Sequence, residues 1–200
     1  AALGVFILWF GWFGFNAGSS LQSGLVTAQA LTATQTAAAA GAVTWMIIEG
    51  THQGKATALG FASGILAGLV AVTPAAGVVQ PMGAMALGVI ASIICYFAII
   101  MKNKLGYDDS LDAFGVHGIG GIVGAIFLVF FMRGDHSSSE IIKQLGVQAL
   151  AVGIAIAYAA IVTIILVFII DKIFGLKSKP AEEMQGLDAS YHGESGYGML

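Results

Sequence analysis

Charge is what this sequence has least of. Only 10% of its 200 residues are charged and the formal net charge is −3, against about 25% charged residues in an ordinary soluble domain. The basic residues are too few and too scattered to follow a phosphate backbone, which excludes a nucleic-acid partner. A lone cysteine, Cys95, rules out a disulfide within the chain. It sits in the apolar run 87–100, where a thiol reads as a small core residue. Of the three prolines none stands in an Asn-Pro-Ala motif, so the best positive sign of a water channel is missing. Thr73-Pro74 and Gln80-Pro81 instead bracket a turn between helices. No nucleophile–base pair, phosphate loop or paired carboxylates appear, so no enzyme and no cofactor is expected. His52 and His136 are expected in loops, without cysteine or carboxylate partners at ligand spacing, so no metal site is expected either.

What the chain has is apolar sequence. Hydrophobic residues make up 58% and the mean hydropathy is +0.89, which predicts an all-α membrane protein. Six helices are expected, at about 1–19, 28–48, 56–72, 82–101, 112–132 and 145–174, the first five near the roughly 20 residues that cross a bilayer and the sixth too long for an untilted span. The first two residues lead into an apolar run without a charged n-region, unlike a signal peptide, so the chain reads as one entered partway through. Lys55, Lys102, Lys104, Lys172, Lys177 and Lys179 follow spans two, four and six, whereas only Arg133 and Lys143 fall on the other side. By the positive-inside rule the ends of the chain and the loops at 50–55 and 102–111 face the cytoplasm. Gly60, Gly64 and Gly68, Gly120 and Gly124, and Gly4, Gly11 and Gly18 recur on single helix faces and predict close helix–helix contacts.

One imidazole interrupts an apolar span. The stretch Asp112-Ala-Phe-Gly-Val-His117-Gly-Ile-Gly-Gly121 runs on into a glycine-dotted apolar segment. An ionisable group within the membrane is costly and is a functional candidate by default. Asp112 is expected either as a helix N-cap or at the exit of a path, and Asp108 and Asp109 as a solvated loop. The first span carries Phe6-Ile-Leu-Trp9-Phe-Gly11-Trp12-Phe-Gly14-Phe15-Asn16-Ala-Gly18-Ser19, and the tail reads Gly186-Leu-Asp188-Ala-Ser-Tyr-His192-Gly193-Glu194-Ser-Gly-Tyr197. Phe15 and Ser19 lie one turn apart on one face.

In order and spacing these three stretches resemble the ammonium transporter family (Amt/Mep/Rh), on its bacterial Amt branch. The family's proteins have eleven helices, two inverted five-helix repeats plus a last long helix. The resemblance makes this chain helices six to eleven, the second repeat and the final helix, with residues 1–176 as the transmembrane domain and 177–200 as a cytoplasmic regulatory tail. It implies recruitment of ammonium at an outer mouth by Ser19, an outer gate at Phe15, and deprotonation. It also implies a hydrophobic pore in which His117 and Trp12 relay ammonia, His117 pairing with a histidine of the other repeat and held neutral by burial. Packing would equally explain Trp12. The resemblance further implies a homotrimer, a bacterial or archaeal plasma membrane, and a tail that folds onto the cytoplasmic loops. In that tail Gly186, Asp188, His192, Gly193 and Glu194 carry the match, where a PII-type signalling protein docks in the family. The other readings of the sequence are an ammonium sensor signalling through a partner and a truncated, inactive product.

Overall fold

The computed structural model describes residues 2–196; Ala1 and residues 197–200, with Tyr197 of the tail motif, lie outside the described residues. The described residues fold as helices with no strand, and divide into two compact units, Ala1–Val152 and Gly153–Leu200. In the first unit come α1 (Ala2–Gly18), α2 (Leu25–Gln53), α3 (Ala58–Val72) and α4 (Pro81–Leu105), then a π-helical turn Phe114–Gly118, α5 (Ile119–Phe127) and a 3-10 turn Leu128–Phe130. The long helix α6 (Ser138–Phe174) runs from the first unit into the second, which also holds α7 (Pro180–Gln185) and a π-helical turn Asp188–His192. All six expected apolar helices are present. Leu25–Gln53, Pro81–Leu105 and Ser138–Phe174 are long and apolar enough to cross a membrane, whereas Leu3–Gly18, Ala58–Val72 and Phe114–Phe130 are apolar but shorter.

α2 is the centre of the first unit, in contact with α1, α3 and α4. Its sequence explains why. Alanine is the best helix former, and the buried side of α2 is built from Ala30, Ala33, Thr34, Ala37, Ala38, Gly41 and Ala42. Small residues let neighbouring backbones come close. A methyl added at Gly64 would stand 2.6 Å from the Gly41 carbonyl oxygen and 2.6 Å from Trp45 Cβ, and one at Gly68 would meet the Ala37 carbonyl. Gly88 of α4 presses on that same carbonyl from the other side, and Gly124 of α5 meets the Ala71 carbonyl. The glycine spacing of α3 and α5 therefore marks contacts, as expected. On α1 it does not: Gly4, Gly11, Gly14 and Gly18 face open space.

Polar groups in these helices are satisfied locally. Thr32, Thr34, Thr36 and Thr51 each donate their hydroxyl to the carbonyl four residues earlier, which suits an apolar surround without water to bond. Asn16 donates to the Thr34 hydroxyl at 3.0 Å, tying α1 to α2. At the Ser19 end of the bundle Arg133 donates to Gln29 and to the Gly77 carbonyl, and Gln29 donates to the Val79 carbonyl, which fastens the α3–α4 turn. Pro81 opens α4 at its first turn, where a proline costs no hydrogen bond. α6 starts earlier than the apolar run, because Ser137 and Glu140 cap it reciprocally: Ser137 Oγ accepts the Glu140 amide and the Glu140 carboxylate accepts the Ser137 amide.

Two expectations about loops need correction. His52 lies in the last turn of α2, with Nδ1 2.9 Å from the Tyr96 hydroxyl; Gly54 in the left-handed region ends that helix later than the fading of apolar residues suggested. Asp109 is a cap. Its two carboxylate oxygens accept the amides of Ala113 and Phe114, each at 2.9 Å.

Candidate functional site

On α1, Trp12 and Phe15 meet edge to face with ring centroids 5.9 Å apart. The Trp12 indole N–H donates to the Thr73 hydroxyl at 2.8 Å, and that hydroxyl donates to the Leu69 carbonyl. Trp12 also packs on the cluster of Val5, Ala38, Ala42, Ile65 and Leu69. So Trp12 is a packed residue with its one donor spent on α3. Phe15 has no such cover and is 60% exposed. It lines a cavity of about 380 Å³ together with Asn16, Ser19, Thr73, Ala76 and Val78. Ser19 Oγ donates to the Phe15 carbonyl at 2.6 Å. Its proton is thus used within the helix end, and its oxygen lone pairs remain available to a donor. The structure brings Phe15 and Ser19 together as expected, and adds Thr73. That residue was missed because its only sequence context is a Thr-Pro turn.

His117 sits in the π-helical turn at the start of the fifth apolar helix. Gly115 and Val116 are buried against α4. A methyl at Gly115 would be 2.9 Å from Ile99 Cγ1, and the Val116 carbonyl lies 3.8 Å from Cys95 Sγ. The widened turn lets the Ile119 amide reach back to the Phe114 carbonyl. Such bulges rotate the following side chains and recur at functional sites. Here the side next to the buried Gly115–Val116 pair carries His117, which is exposed in this chain. The expected burial is therefore not supplied by these 200 residues. Among the described residues His117 makes no hydrogen bond, and no hydrogen bond or ring contact joins it to Trp12, Phe15 or Ser19.

Asp112 does not cap this helix, since Asp109 holds those amides. Asp112 has φ 55, in the left-handed region. Its carboxylate takes Lys102 Nζ at 2.5 Å, and Lys102 also donates to the Asp109 carbonyl at 2.8 Å. One lysine thereby closes the loop from α4 to the π-helical turn. Glu49 was not singled out by the sequence at all. It is 7% exposed near the end of α2 and accepts both the amide and the hydroxyl of Thr57, the N-cap of α3.

In the second unit the tail is folded. The Glu182 carboxylate accepts the Lys179 amide and the Tyr191 hydroxyl, both at 2.8 Å. Ser190 Oγ lies 2.9 Å from the Gly186 carbonyl and 3.1 Å from that of Glu182. Gly193, at φ 65, ends the second π-helical turn, and the Glu194 amide returns to the Asp188 carbonyl. Gly186 is also at positive φ, 93°. His192 is exposed. The hydrogen bonds hold the Glu182 carboxyl below its ordinary value, the Lys179 amide contributing most, and hold the Tyr191 hydroxyl above its own through the bond to Glu182.

The profile of the Ammonium Transporter Family matches residues 1–197. The ammonium transporter of Aquifex aeolicus is 44% identical over 99% of this chain and 48% of its own length. Ammonium transporter Amt1 of Archaeoglobus fulgidus is 41% identical over 98% of the chain and 51% of its own. Among solved structures, a sensor Amt protein superposes with a TM-score of 0.87 at 33% identity, over 94% of this chain and 48% of that one. Mep2 of Saccharomyces cerevisiae superposes with a TM-score of 0.83 at 34% identity, covering 90% and 43%. The chain spans about half the length of the relatives it matches.

Proposed function

The chain belongs to the ammonium transporter family, and from that premise we propose that it forms one half of an ammonium-conducting pore. In this reading the six apolar helices all cross the membrane, as the second repeat and final helix of the fold. The Lys102 end and the tail face the cytoplasm and the Ser19 end faces outward. The complete assembly is a homotrimer in a plasma membrane, with a PII-type protein as the candidate partner of the tail.

The single observation that carries the reading is the exposure of Phe15 and of His117, each left uncovered on an apolar helix. A bare ion of ammonium size costs about 20 kcal/mol to move into an apolar interior. A narrow apolar path therefore rejects it unless the proton is left behind. The cavity at Phe15 supplies what recruitment needs: an aromatic face for a cation and the hydroxyl oxygens of Ser19 and Thr73 as acceptors. His117 supplies what a path for neutral ammonia needs, one nitrogen that donates and one that accepts. In this reading a first repeat covers both residues.

A second reading, an ammonium sensor, is favoured by the likeness to a protein titled a sensor Amt protein. Uptake separates the two. Residues 1–200 and the same chain preceded by five further helices of the family are reconstituted in liposomes, and ammonium-driven alkalinisation is followed. Transport is expected only from the longer protein and is lost or loses selectivity over potassium in His117→Ala. Saturable uptake by residues 1–200 overturns the half-pore, unchanged uptake in His117→Ala overturns the relay, and binding without uptake in the longer protein favours the sensor.

A further inference from the structure

The end of the bundle opposite Ser19 holds a second cavity, of about 150 Å³, among the ends of α2, α3 and α4. It is lined by Trp45, Glu49, Gln53, Tyr96, Asn103 and Asp112, with the Thr57–Gly60 turn beside them. We propose that this cavity is a separate binding site for one ammonium-type cation, with the Glu49 carboxylate as its counter-charge.

Asp112 and Lys102 neutralise one another across 2.5 Å. Glu49 has no such partner: among the described residues no cationic side chain pairs with it. Among the described residues it accepts only the amide and the hydroxyl of Thr57, two hydrogen bonds for a group with about four acceptor sites. A carboxylate nine-tenths buried calls for a positive charge or its own protonation. The fold also brings the carboxylate up against backbone rather than letting it swing out. A methyl at Gly60 would collide with both Glu49 oxygens, so only glycine there admits the carboxylate.

The rest of the lining fits a small cation with N–H donors. Trp45 and Tyr96 are stacked edge to face, 5.4 Å between centroids, and offer aromatic surface, which attracts ammonium groups. Gln53 donates its amide nitrogen to the Tyr96 hydroxyl at 3.1 Å, which leaves its carbonyl oxygen to accept. Asn103 brings a second amide. One uncompensated carboxylate matches one positive charge. A calcium ion would bring two positive charges to that one carboxylate. The groups that titrate around the cavity are Glu49, Asp112, Lys102, Tyr96 and His52, the last with its Nδ1 2.9 Å from the Tyr96 hydroxyl. The inference needs the cavity and not transport, so it stands or falls separately from the pore.

The test is a binding titration on the chain of 200 residues in detergent micelles, where no gradient exists. Trp9→Phe with Trp12→Phe leaves Trp45 as the last of the three tryptophans, and its fluorescence reports the cavity. Methylammonium chloride is added at constant ionic strength against sodium chloride. The expected result is a saturable change in Trp45 emission that Glu49→Gln weakens at least tenfold and Phe15→Ala leaves unchanged. Gln at this position keeps an oxygen for Thr57, and circular dichroism checks its fold; Glu49→Asp, which keeps the charge on a shorter arm, is expected to bind at least threefold more weakly. No saturable response in the parent chain overturns the proposal. So does an equal response in Glu49→Gln, or one lost only in Phe15→Ala. An infrared carboxylic-acid band that Glu49→Gln removes and methylammonium does not shift overturns it too, because Glu49 is then neutral.

Discussion

α1 and α2 are both apolar helices of one bundle, and they do opposite things. α2 turns alanine, glycine and threonine inward, and that side is closed against α3 and α4 with backbone against backbone. α1 packs through Val5, Ala17 and the two indoles and leaves Phe6, Ile7, Phe10 and Phe15 uncovered, Phe10 at 79%. Small residues close a contact within the chain, whereas the large aromatics of α1 stay uncovered by it. Glycine shows the same contrast. On α3 it is a point of near-collision, and on α1 it faces nothing within 4 Å. A glycine spacing of four or seven therefore states that a backbone can be approached, and only the neighbour decides whether it is.

The largest effect should come from breaking the closed side. Gly68→Leu pushes a side chain into the Ala37 backbone, which cannot move aside as a side-chain tip can. Overpacking of this kind costs about 3 kcal/mol, and the variant should lose its cooperative unfolding transition in detergent. Gly11→Leu on the open side should leave that transition in place, and equal damage by both would erase the contrast. Gly193 of the tail comes next. Its φ of 65 lies where a side chain is strained, though nothing stands within 4 Å of the added methyl. Gly193→Val should cost the tail about 1–2 kcal/mol, and Gly193→Asp less, since aspartate visits the left-handed region more readily. Both should lower uptake by the family-length protein with trimers intact on size exclusion, valine more than aspartate; undiminished uptake would reduce the tail to a passive end.

The smallest effect is in pH. The Glu182 carboxyl, depressed from 4.5, contributes stability that is complete above pH 4.5 and is lost as pH falls through its lowered value. The Tyr191 hydroxyl, raised from 10.0, contributes stability that is complete below pH 10.0 and is lost as pH rises through its raised value. Amide protection over 178–194, taken relative to the intrinsic exchange rate at each pH, should be greatest between those limits. Tyr191→Phe should abolish the alkaline loss and leave the acid one, and an unchanged alkaline limit would show that this hydrogen bond does not hold the tail.

Much of the fold was legible because periodic apolar runs and glycine spacing report what a helix can bury. All six apolar helices came from that pattern, and so did the contact role of Gly64, Gly68 and Gly124. The tail was legible only through its resemblance; composition reads as a loose end, whereas Glu182, Ser190 and Tyr191 tie it together. At the candidate site the sequence pointed to His117, Phe15 and Ser19 by residue type and context, but it offered Asp112 as the helix cap or the exit of a path, when Asp109 makes the cap. Two aspartates three residues apart look alike in a string, and only the left-handed turn at Asp112 aims that one at Lys102 instead.

By itself the sequence determined that the chain is helical and apolar, which family it belongs to, and that one imidazole lies in an apolar span, because each follows from residue type and short-range spacing. The tertiary structure alone decided that His117 and Phe15 are each left uncovered, that Thr73 holds Trp12, and that Glu49 is buried without a counter-charge among the described residues. Exposure and pairing depend on which segments come together across tens of residues, and a side chain's local sequence carries no record of the neighbour that will or will not be there.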